Sequence, residues 1–352
     1  MVVMMLKVSR EADIDEAPLY ALVRSTLPEI SAGRWEPESF FVVRIHKHHN
    51  KKLVYCHLAY TDQVAKTPAE ADLVVKYYGK KKGASSTRAA LQYLWQAGFD
   101  ADQPYSVPRF CGYEPEQNIL IQTRAEGITW AEWLQQAPQI ADQVAAHAAD
   151  WLVRLQRTPV PARIPSQRLS EVPYRCLVAP DELLETLATS IPAYAPRLRR
   201  IEEHVRQRLS EVDGLPGVLS HGDFHPKNVL FIPGQTTALD FDAYGVHEAA
   251  FDVGYCIGQL LSMAYAHYGT VAPGAVVANS FWQRYAREGT AAWQHVSLVT
   301  ACTLIQVLHY TRRALHGASA EMPAVWLDLI EQWLMSDDAR ILTRLAANQA
   351  SL

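Results

Sequence analysis

The sequence lacks any long apolar run and contains few cysteines. No apolar segment among its 352 residues approaches the roughly 20 residues that a membrane-spanning helix needs. The apolar start, Met1 to Leu6, ends at Lys7 and is too short for the core of a signal peptide. The five cysteines are scattered and form no C-x-x-C pair, which argues against a disulfide framework and a structural zinc site. We therefore expect a protein of the reducing cytoplasm that does not bind a membrane.

The chain also lacks a strong excess of charge of either sign. Its formal net charge is -4, which gives no general reason to expect nucleic acid as a partner. Hydrophobic residues make up 49% and charged residues 20%, which is the balance of a globular protein. A chain of this length exceeds one ordinary compact core, so two lobes are expected.

The sequence contains a strand-rich first third followed by a mainly helical remainder. Apolar spacing predicts a helix over residues 13–27, and residues 1–36 are interpreted as a helical extension. Residues 37–124 are predicted to form an antiparallel sheet, with three strands, one helix and two more strands in chain order. Residues 125–352 are predicted to form a helical lobe that includes a proline-rich loop over 159–180. The predicted strands are 40–45, 53–60, 73–78, 109–113 and 118–122, and the predicted helices include 86–96, 139–156, 181–188 and 196–212.

One segment concentrates polar residues of a kind that suits metal and phosphate chemistry. Residues 221–228 have the sequence His-Gly-Asp-Phe-His-Pro-Lys-Asn, in which the glycine and the proline favour a structured loop over a helix. The apolar run 229–232, the turn Pro233-Gly234 and the run 237–239 then predict a hairpin that leads into Asp240.

This arrangement is expected to bring Asp223, Asn228 and Asp240 to one end of a two-stranded ribbon. Two carboxylates and an amide suit a hard cation such as Mg²⁺, which prefers oxygen ligands. A magnesium ion held in this way keeps positions for phosphate oxygens. The segment therefore indicates phosphoryl transfer.

The same segment resembles the catalytic core of the aminoglycoside phosphotransferase and choline kinase superfamily, whose members are related to protein kinases. The interval from Asp223 to Asn228 matches the catalytic-loop pattern H-R-D-x-x-x-x-N, and Asp240-Phe-Asp242 stands in the place of D-F-G. The resemblance spans roughly residues 37–330. It implies an α+β, protein-kinase-like bilobal fold, with a small N-terminal antiparallel sheet lobe that carries one helix and a larger, mainly helical C-terminal lobe.

The resemblance also implies a role for each site residue. Asp223 would be the catalytic base, and Lys227 would neutralise charge on the transferring phosphoryl group. ATP would be the phosphate donor, with GTP possible, and a small molecule with a hydroxyl group would be the acceptor. The implied ligands of Mg²⁺ are Asn228, Asp240 and Asp242, and those of the nucleotide are Lys76 and the backbone hinge of Gln122, Thr123 and Arg124.

The sequence departs from the protein-kinase pattern at two points. Protein kinases pair the lysine equivalent to Lys76 with a glutamate on the next helix, but residues 83–90 contain no acid. The partner of Lys76 must therefore come from elsewhere, or this lysine is unpaired. The turn over 46–50 contains no glycine, and its basic flank, which includes Lys51 and Lys52, either attracts a triphosphate or is a solvated hairpin tip. The histidines at 46–49 have no acid partner nearby, which argues against a zinc site. The lysine run 80–82 is interpreted as a solvated turn.

Two residues are predicted to support the loop and not to react. Asp252 resembles the acid with which the superfamily braces its catalytic loop, and His221 is expected to buttress the same loop.

Three functions remain open at this point: a kinase of a small hydroxylated molecule, a kinase of a protein or protein-bound group, and a nucleotide-binding pseudokinase scaffold. The presence of Asp223, Asn228 and Asp240 together argues against the pseudokinase. No activation segment ending in A-P-E follows Asp242, which argues against the protein kinase. An aminoglycoside-, amino-alcohol- or sugar-like acceptor is therefore expected. Four acids could meet a cationic acceptor, but they are distributed like those on ordinary helix surfaces and do not identify the acceptor; they are Glu248, Glu288, Asp328 and Glu331. The sequence does not predict an oligomeric state.

Overall fold

The computed structural model describes residues 16–48, 51–79, 83–162, 180–212, 215–314, 322–336 and 338–347. The chain divides into two compact units. The first comprises the described residues up to Glu126 together with Leu239–Ala243, and the second comprises those of Gly127–Ala238 and from Tyr244 onward. The predictions for the lysine run 80–82, for the tip of the turn at 49–50 and for most of the proline-rich loop (163–179) lie outside the described residues.

The first unit is an antiparallel sheet with helices packed against it. Its helices are α1 (Glu16–Thr26), α2 (Pro28–Ser31) and α3 (Gly83–Gln96). Its strands are β1 (Trp35–His48), β2 (Lys51–Asp62), β3 (Thr67–Tyr78), β4 (Tyr105–Ser106), β5 (Phe110–Glu114) and β6 (Ile119–Thr123). Five of them form one sheet in the order β1-β2-β3-β6-β5, and all the pairings are antiparallel. The predicted sheet lobe, with one helix after its third strand, is confirmed.

Alternation of apolar and polar residues explains how β2 packs. Val54, Cys56 and Leu58 are buried at every second position, because successive side chains of a strand point to opposite faces. They form one core with Leu19 and Val23 of α1. The helix predicted near the start of the chain therefore closes one face of the sheet.

Strand β3 lies in the middle of this sheet and is buried on both faces near its end. Leu73, Val74 and Val75 are buried, and so is Lys76, whose side chain is 7% exposed. The register places Lys76 opposite Leu53 of β2 and Leu120 of β6. The sheet thus carries a lysine into an apolar setting, where a charge needs a partner.

The second unit is mainly helical. Its helices are α4 (Trp130–Gln136), α5 (Pro138–Arg157), α6 (Pro180–Ser190), α7 (Ala195–Val212), α8 (Ala250–Tyr268), α9 (Ala272–Tyr285), α10 (Trp293–Ala314), α11 (Met322–Leu334) and α12 (Arg340–Ala347). Its strands are short: β7 (Ile128–Thr129), β8 (Gly217–Ser220), β9 (Val229–Ile232), β10 (Gln235–Ala238) and β11 (Gly245–Glu248). Among the described helices, none is long and apolar enough to cross a membrane.

Two strand pairs frame the polar segment of the second unit. The predicted hairpin is present, with β9 and β10 antiparallel and Val229 opposite Ala238. Strand β8, which ends at Ser220 just before the motif, pairs with β11. The motif loop therefore begins and ends on paired strands, which fix both of its ends.

Candidate active site

The loop after β8 is held by a buried carboxylate. Asp252, near the start of α8, is 1% exposed and accepts hydrogen bonds from the Ser220 hydroxyl at 2.8 Å and from the backbone N–H groups of His221 at 2.7 Å and Gly222 at 2.9 Å. Gly222 has a φ of +76°, a conformation that favours glycine. These contacts agree with the structural role predicted for Asp252.

Aromatic packing against α5 supports the same loop. His221 and Phe224 are fully buried, and Phe224 stacks on Trp151 of α5 with ring centroids 5.5 Å apart. The Nδ1 atom of His221 accepts a hydrogen bond from the backbone N–H of Asp223 at 3.2 Å. His221 therefore orients the backbone of Asp223, as a buttress would.

Two further side chains of the loop, those of His225 and Asn228, position the candidate base, Asp223. Its Oδ1 atom lies 3.5 Å from Nε2 of His225, and its backbone carbonyl accepts from Nδ2 of Asn228 at 3.0 Å. The Nδ1 atom of His225 accepts from the backbone N–H of Lys227 at 3.2 Å, which directs the proton of the neutral ring to Nε2, facing Asp223. Because Asn228 donates through its amide nitrogen, its Oδ1 is the atom suited to bind a cation. Lys227 itself is exposed.

The first unit holds a second group of charged residues, centred on Asp240. Asp240 has a φ of +64°, an uncommon conformation for a residue other than glycine. Its carboxylate lies 3.1 Å from the ammonium of Lys51 and 3.6 Å from that of Lys76. Burial alone would raise the pKa of the Asp240 carboxyl, but Lys76 and Lys51 outweigh it and hold the pKa well below its usual range. Asp240 is therefore ionised at neutral pH.

Asp242 is oriented by two hydroxyl groups of the same unit. Its Oδ1 atom accepts hydrogen bonds from the Tyr78 hydroxyl and from the Thr87 hydroxyl, both at 2.9 Å. Its Oδ2 atom forms an ion pair with the ammonium of Lys51. Burial, and then the charge of Asp242, raise the pKa of Tyr78 well above its usual range, so the phenol remains a donor. The two carboxylates consequently share one lysine.

These contacts answer the question of the partner of Lys76. Its ion pair is with Asp240, and the helix that follows β3 supplies a neutral hydroxyl, Thr87, to Asp242. The site residues that sequence reasoning missed are Lys51, Tyr78 and Thr87. A basic turn was the only sequence signal for Lys51, and no sequence pattern pointed to the other two.

The predicted hinge lies at the end of β6, and part of its backbone is already hydrogen-bonded. The N–H of Thr123 donates to the carbonyl of Arg109 at 2.9 Å, and that of Arg124 donates to the carbonyl of Asp72 at 2.8 Å. An adenine ring would therefore need another backbone donor or an exchange of these bonds. Gln122 is buried. The hinge stays a prediction.

The residues at hand have the chemistry that Mg²⁺ requires. Asp240 and Asp242 are carboxylates that already accept one cation, the Lys51 ammonium, and carboxylate oxygens are preferred ligands of hard cations. Across the parts of the chain that the structure describes, no group of three or more His, Cys, Asp and Glu side chains is arranged for a metal. A Mg²⁺ site built from Asp240 and Asp242 with the amide of Asn228, and the predicted convergence of Asp223, Asn228 and Asp240, stay predictions.

A cavity of about 600 Å³ lies within the second unit, between α8, α10 and α11. Lys227 of the motif loop lines it, together with residues of those three helices. We call it the α8–α10 cavity. Its volume falls within the roughly 300–1,000 Å³ of small-molecule sites.

Comparisons with known proteins agree with this chemistry. A family model described as "Phosphotransferase enzyme family" matches residues 61–296, more than half of the chain. No curated protein sequence matches significantly.

Solved structures of similar fold include the amicoumacin kinase hAmiN in complex with AMP-PNP, Ca²⁺ and Ami. This structure has a TM-score of 0.56 and 14% identity, and the match covers 94% of this chain and 97% of that one. A choline/ethanolamine kinase family protein from Mesorhizobium loti has a TM-score of 0.55 and 14% identity, covering 94% and 99% of the two chains. A glucosamine kinase has a TM-score of 0.53 and 16% identity, with the same coverage. At these identities the likeness shows the fold, and it confirms the predicted α+β kinase-like class.

The catalytic-loop motif, the kinase-like fold and the family match together confirm the predicted aminoglycoside phosphotransferase and choline kinase superfamily and the predicted enzyme class. The chain belongs to the phosphotransferase enzyme family.

Proposed function

We propose that this protein transfers the γ-phosphoryl group of Mg-ATP, or of Mg-GTP, to a hydroxyl group of a small molecule. The observation that carries the proposal is the support of Asp223. Asp252 fixes the backbone before it, and His225 contacts its carboxylate at 3.5 Å. A carboxylate held in a structured loop after a strand is the arrangement that a catalytic base needs.

The proposed step is an in-line displacement at the γ-phosphorus. The hydroxyl oxygen of the acceptor forms a bond to the γ-phosphorus, and the bond from that phosphorus to the β,γ-bridging oxygen breaks to release ADP. The hydroxyl proton passes to Asp223, whose orientation depends on His225. The exposed ammonium of Lys227 offsets negative charge on the transferring group.

The phosphates and the adenine of the donor nucleotide would be bound by residues of the first unit. Lys76 and Lys51 supply positive charge for the phosphates. Asp240, Asp242 and the Asn228 amide would hold Mg²⁺. When bound, this cation neutralises phosphate charge and orients the phosphates. The backbone of Gln122, Thr123 and Arg124 is the proposed neighbour of the adenine.

The path of the chain after the motif favours a small acceptor over a protein. Asp242 lies in a short 3-10 turn, Phe241–Ala243, which is followed by β11 and then by α8 from Ala250. This short connection has no room for the long segment that presents a peptide in protein kinases. A pseudokinase is less favoured because Asp223, Asn228 and Asp240 are all retained.

Two alanine variants test the proposal. We expect Asp223→Ala to lower the rate of ATP consumption at least about a hundredfold, because a general base contributes 10²–10⁴-fold, and to leave stabilisation by Mg-ATP intact. Asp240→Ala is expected to lose both ATP consumption and stabilisation by Mg-ATP. The rate is measured as slow ATP hydrolysis, in which water is the acceptor. Binding is measured as a thermal shift, because ligand at about 100 times its Kd adds about 2.7 kcal/mol of stability.

Asp338→Ala is the matched control, because this acid lies just before α12, where its carboxylate accepts local hydrogen bonds from Arg340. It should leave both readouts unchanged. Full turnover in Asp223→Ala would contradict the base assignment. Absence of any nucleotide stabilisation in the wild type would contradict the kinase function itself.

A further inference from the structure

The wall of the α8–α10 cavity is rich in aromatic rings. Tyr255 and Tyr265 come from α8, Tyr310 from α10 and Trp326 from α11. The rings of Tyr265 and Trp326 meet edge to face, with centroids 5.4 Å apart, and Trp326 is 2% exposed. This part of the wall is therefore fixed before any ligand arrives. Flat rings of this kind pack against the faces of sugars and of other rings.

The polar groups of the wall are mostly neutral. Gln259 and Gln306 supply amides, and Ser262 and Thr311 supply hydroxyls. Amides and hydroxyls both donate and accept, so they can bind hydroxyl groups in either direction. Among the described residues that line the cavity, the charged one is Lys227, and its charge is positive.

The cavity is connected to the candidate base through direct side-chain contacts. The ring of Tyr255 meets the ring of His225, with centroids 6.1 Å apart. His225 in turn lies 3.5 Å from the carboxylate of Asp223. Lys227, four residues after Asp223, lines the cavity itself. A molecule in this cavity would therefore lie beside the loop that carries the base.

The acids that could have met a cationic acceptor are committed to other partners. Asp328 and Glu331, which share α11 with Trp326, both form ion pairs with Arg197 of α7, at 2.5 Å and 2.8 Å. The carboxylates of α11 thus face a cation that the protein already supplies.

The remaining two acids are also engaged. Glu248 accepts from the backbone N–H of Ala250 at 2.6 Å, and Glu288 forms ion pairs with Arg157 at 2.8 Å and Arg284 at 3.3 Å. Neither lines the cavity. Along the cavity wall, a polyamine would meet the positive charge of Lys227, which repels it, and neutral groups, which give its charge no ion pair. The carboxylate beside this wall is that of the candidate base, Asp223, which His225 already contacts.

We propose that the α8–α10 cavity binds the phosphate acceptor, and that this acceptor is an uncharged, hydroxylated molecule with an aromatic or similarly flat body. The proposal rests on the proposed function and goes beyond it by naming the acceptor class. The rings would bind the flat body, the amides would bind hydroxyl groups, and the hydroxyl nearest Asp223 would be phosphorylated. A quaternary ammonium such as choline could also stack on the rings, but the Lys227 charge opposes it, and the cavity is far larger than such a molecule needs.

Binding of three probe classes to the full-length protein tests the proposal. The probes are a panel of uncharged aryl glycosides, choline, and the aminoglycoside kanamycin, each titrated calorimetrically in the presence of saturating Mg-AMP-PNP. We expect at least one aryl glycoside to bind at least tenfold more tightly than either amine. With Mg-ATP in place of the analogue, the same glycoside should be phosphorylated.

Two tryptophan variants locate the binding site. Ala266→Trp fills the cavity from an exposed position of α8, and it should weaken glycoside binding at least tenfold. Val276→Trp is the matched control, because Val276 is 46% exposed on α9 and lies outside the lining residues; it should bind the glycoside normally. A third variant, Gln259→Glu, adds a carboxylate to the wall and should improve the affinity for choline and kanamycin.

The outcomes separate the two proposals. Tighter binding of choline or kanamycin, failure of every aryl glycoside to bind, or no effect of Ala266→Trp would overturn the acceptor class. Stabilisation by Mg-AMP-PNP, followed in the same samples, reports on the proposed function. If Mg-AMP-PNP does not stabilise the wild type, the proposed kinase function is contradicted. If Mg-AMP-PNP stabilises the wild type but amines bind more tightly than aryl glycosides, only the proposed acceptor class is contradicted.

Discussion

Lys51 places a positive charge, which was not predicted from the sequence, between the two carboxylates of the candidate donor site. The register of β2 on β3 places it opposite Tyr78, and its ammonium lies 5.6 Å from the centroid of the Tyr78 ring. It forms ion pairs with Asp240 and Asp242. Burial would lower the pKa of Lys51, but the two carboxylates outweigh it and raise the pKa above its usual value. The lysine is therefore a permanent cation between two candidate metal ligands.

We expect Lys51→Met to raise the affinity of the nucleotide-free protein for Mn²⁺ by about tenfold, which corresponds to about 1.4 kcal/mol. The physical reason is competition, because a divalent ion and the Lys51 ammonium would bind the same two carboxylates. The measurement is titration of free Mn²⁺ by electron paramagnetic resonance.

Lys52→Met is the matched control, because the neighbouring ammonium lies over the Tyr77 ring, 4.7 Å from its centroid. It should bind Mn²⁺ as the wild type does. Equal Mn²⁺ affinity in the Lys51 and Lys52 variants would show that Lys51 does not occupy the position of the metal.

Residue identities in the motif were predictable, whereas their partners were not. Asp223, Asn228 and Asp240 stand at spacings that carry chemistry by themselves. The contacts of Asp240 with Lys51 and of Asp242 with Thr87 depend on strand register and on which face of α3 meets the 3-10 turn at Phe241–Ala243. Neither is encoded in local periodicity, since both join residues more than 150 positions apart in the chain.

At the scale of elements, α8 and α10 pack so closely that a glycine is required between them. A Cβ added to Gly258 would lie 2.6 Å from the Cβ of Thr303, closer than real side-chain contacts. Thr303 is buried, and its hydroxyl donates to the carbonyl of Val299 at 2.8 Å, which limits its freedom to move. Both helices also line the α8–α10 cavity, so their spacing sets its width.

We expect Gly258→Ala to lower the free energy of unfolding by about 1–2 kcal/mol. A contact as short as 2.6 Å places the cost of overpacking in the upper part of its usual range, at about 2–3 kcal/mol, and the better helix propensity of alanine returns about 1 kcal/mol. The measurement is urea denaturation followed by fluorescence. His267→Ala, at an exposed position of α8, is the control and should stay within about 0.5 kcal/mol of the wild type. A stabilised Gly258→Ala would show that the two helices have room to separate.

Strand lengths show what apolar patterns miss. The apolar runs 40–45 and 53–60 predicted two short strands, but β1 and β2 continue to Trp35 and Asp62, which pair with each other. Polar flanks extend a hairpin by backbone hydrogen bonds, and these need no apolar side chain. Helix α4 was missed although Thr129 and Glu132 form a capping box that the sequence displays.

At the scale of the whole molecule, both units bury the thiols that the structure describes. Cys56 and Cys111 lie in the first unit, and Cys256 and Cys302 lie in the second; all four are buried thiols. Burial, and then the charge of Glu16, raise the pKa of Cys56 to about 12. Burial likewise raises the pKa of Cys111 to about 12. Since the thiolate is the reactive form, native thiols should react with a disulfide reagent only when their unit opens.

Thiol reactivity therefore reports the opening of each unit, and its pH dependence follows from the sign of the pKa shift. A native thiol with a pKa near 12 stays protonated at both pH 7 and pH 9, whereas an unfolded thiol with a pKa of about 8.5 becomes mostly thiolate over the same range. The Cys176→Ser variant keeps these four cysteines. We expect almost none of its thiols to react with the reagent within minutes at either pH, and all four thiols per chain to react in urea. A disulfide reagent with a coloured product counts them. Rapid release from the native protein at pH 9 would mean that one unit opens far below its unfolding temperature, and mass spectrometry of the labelled peptides would identify which.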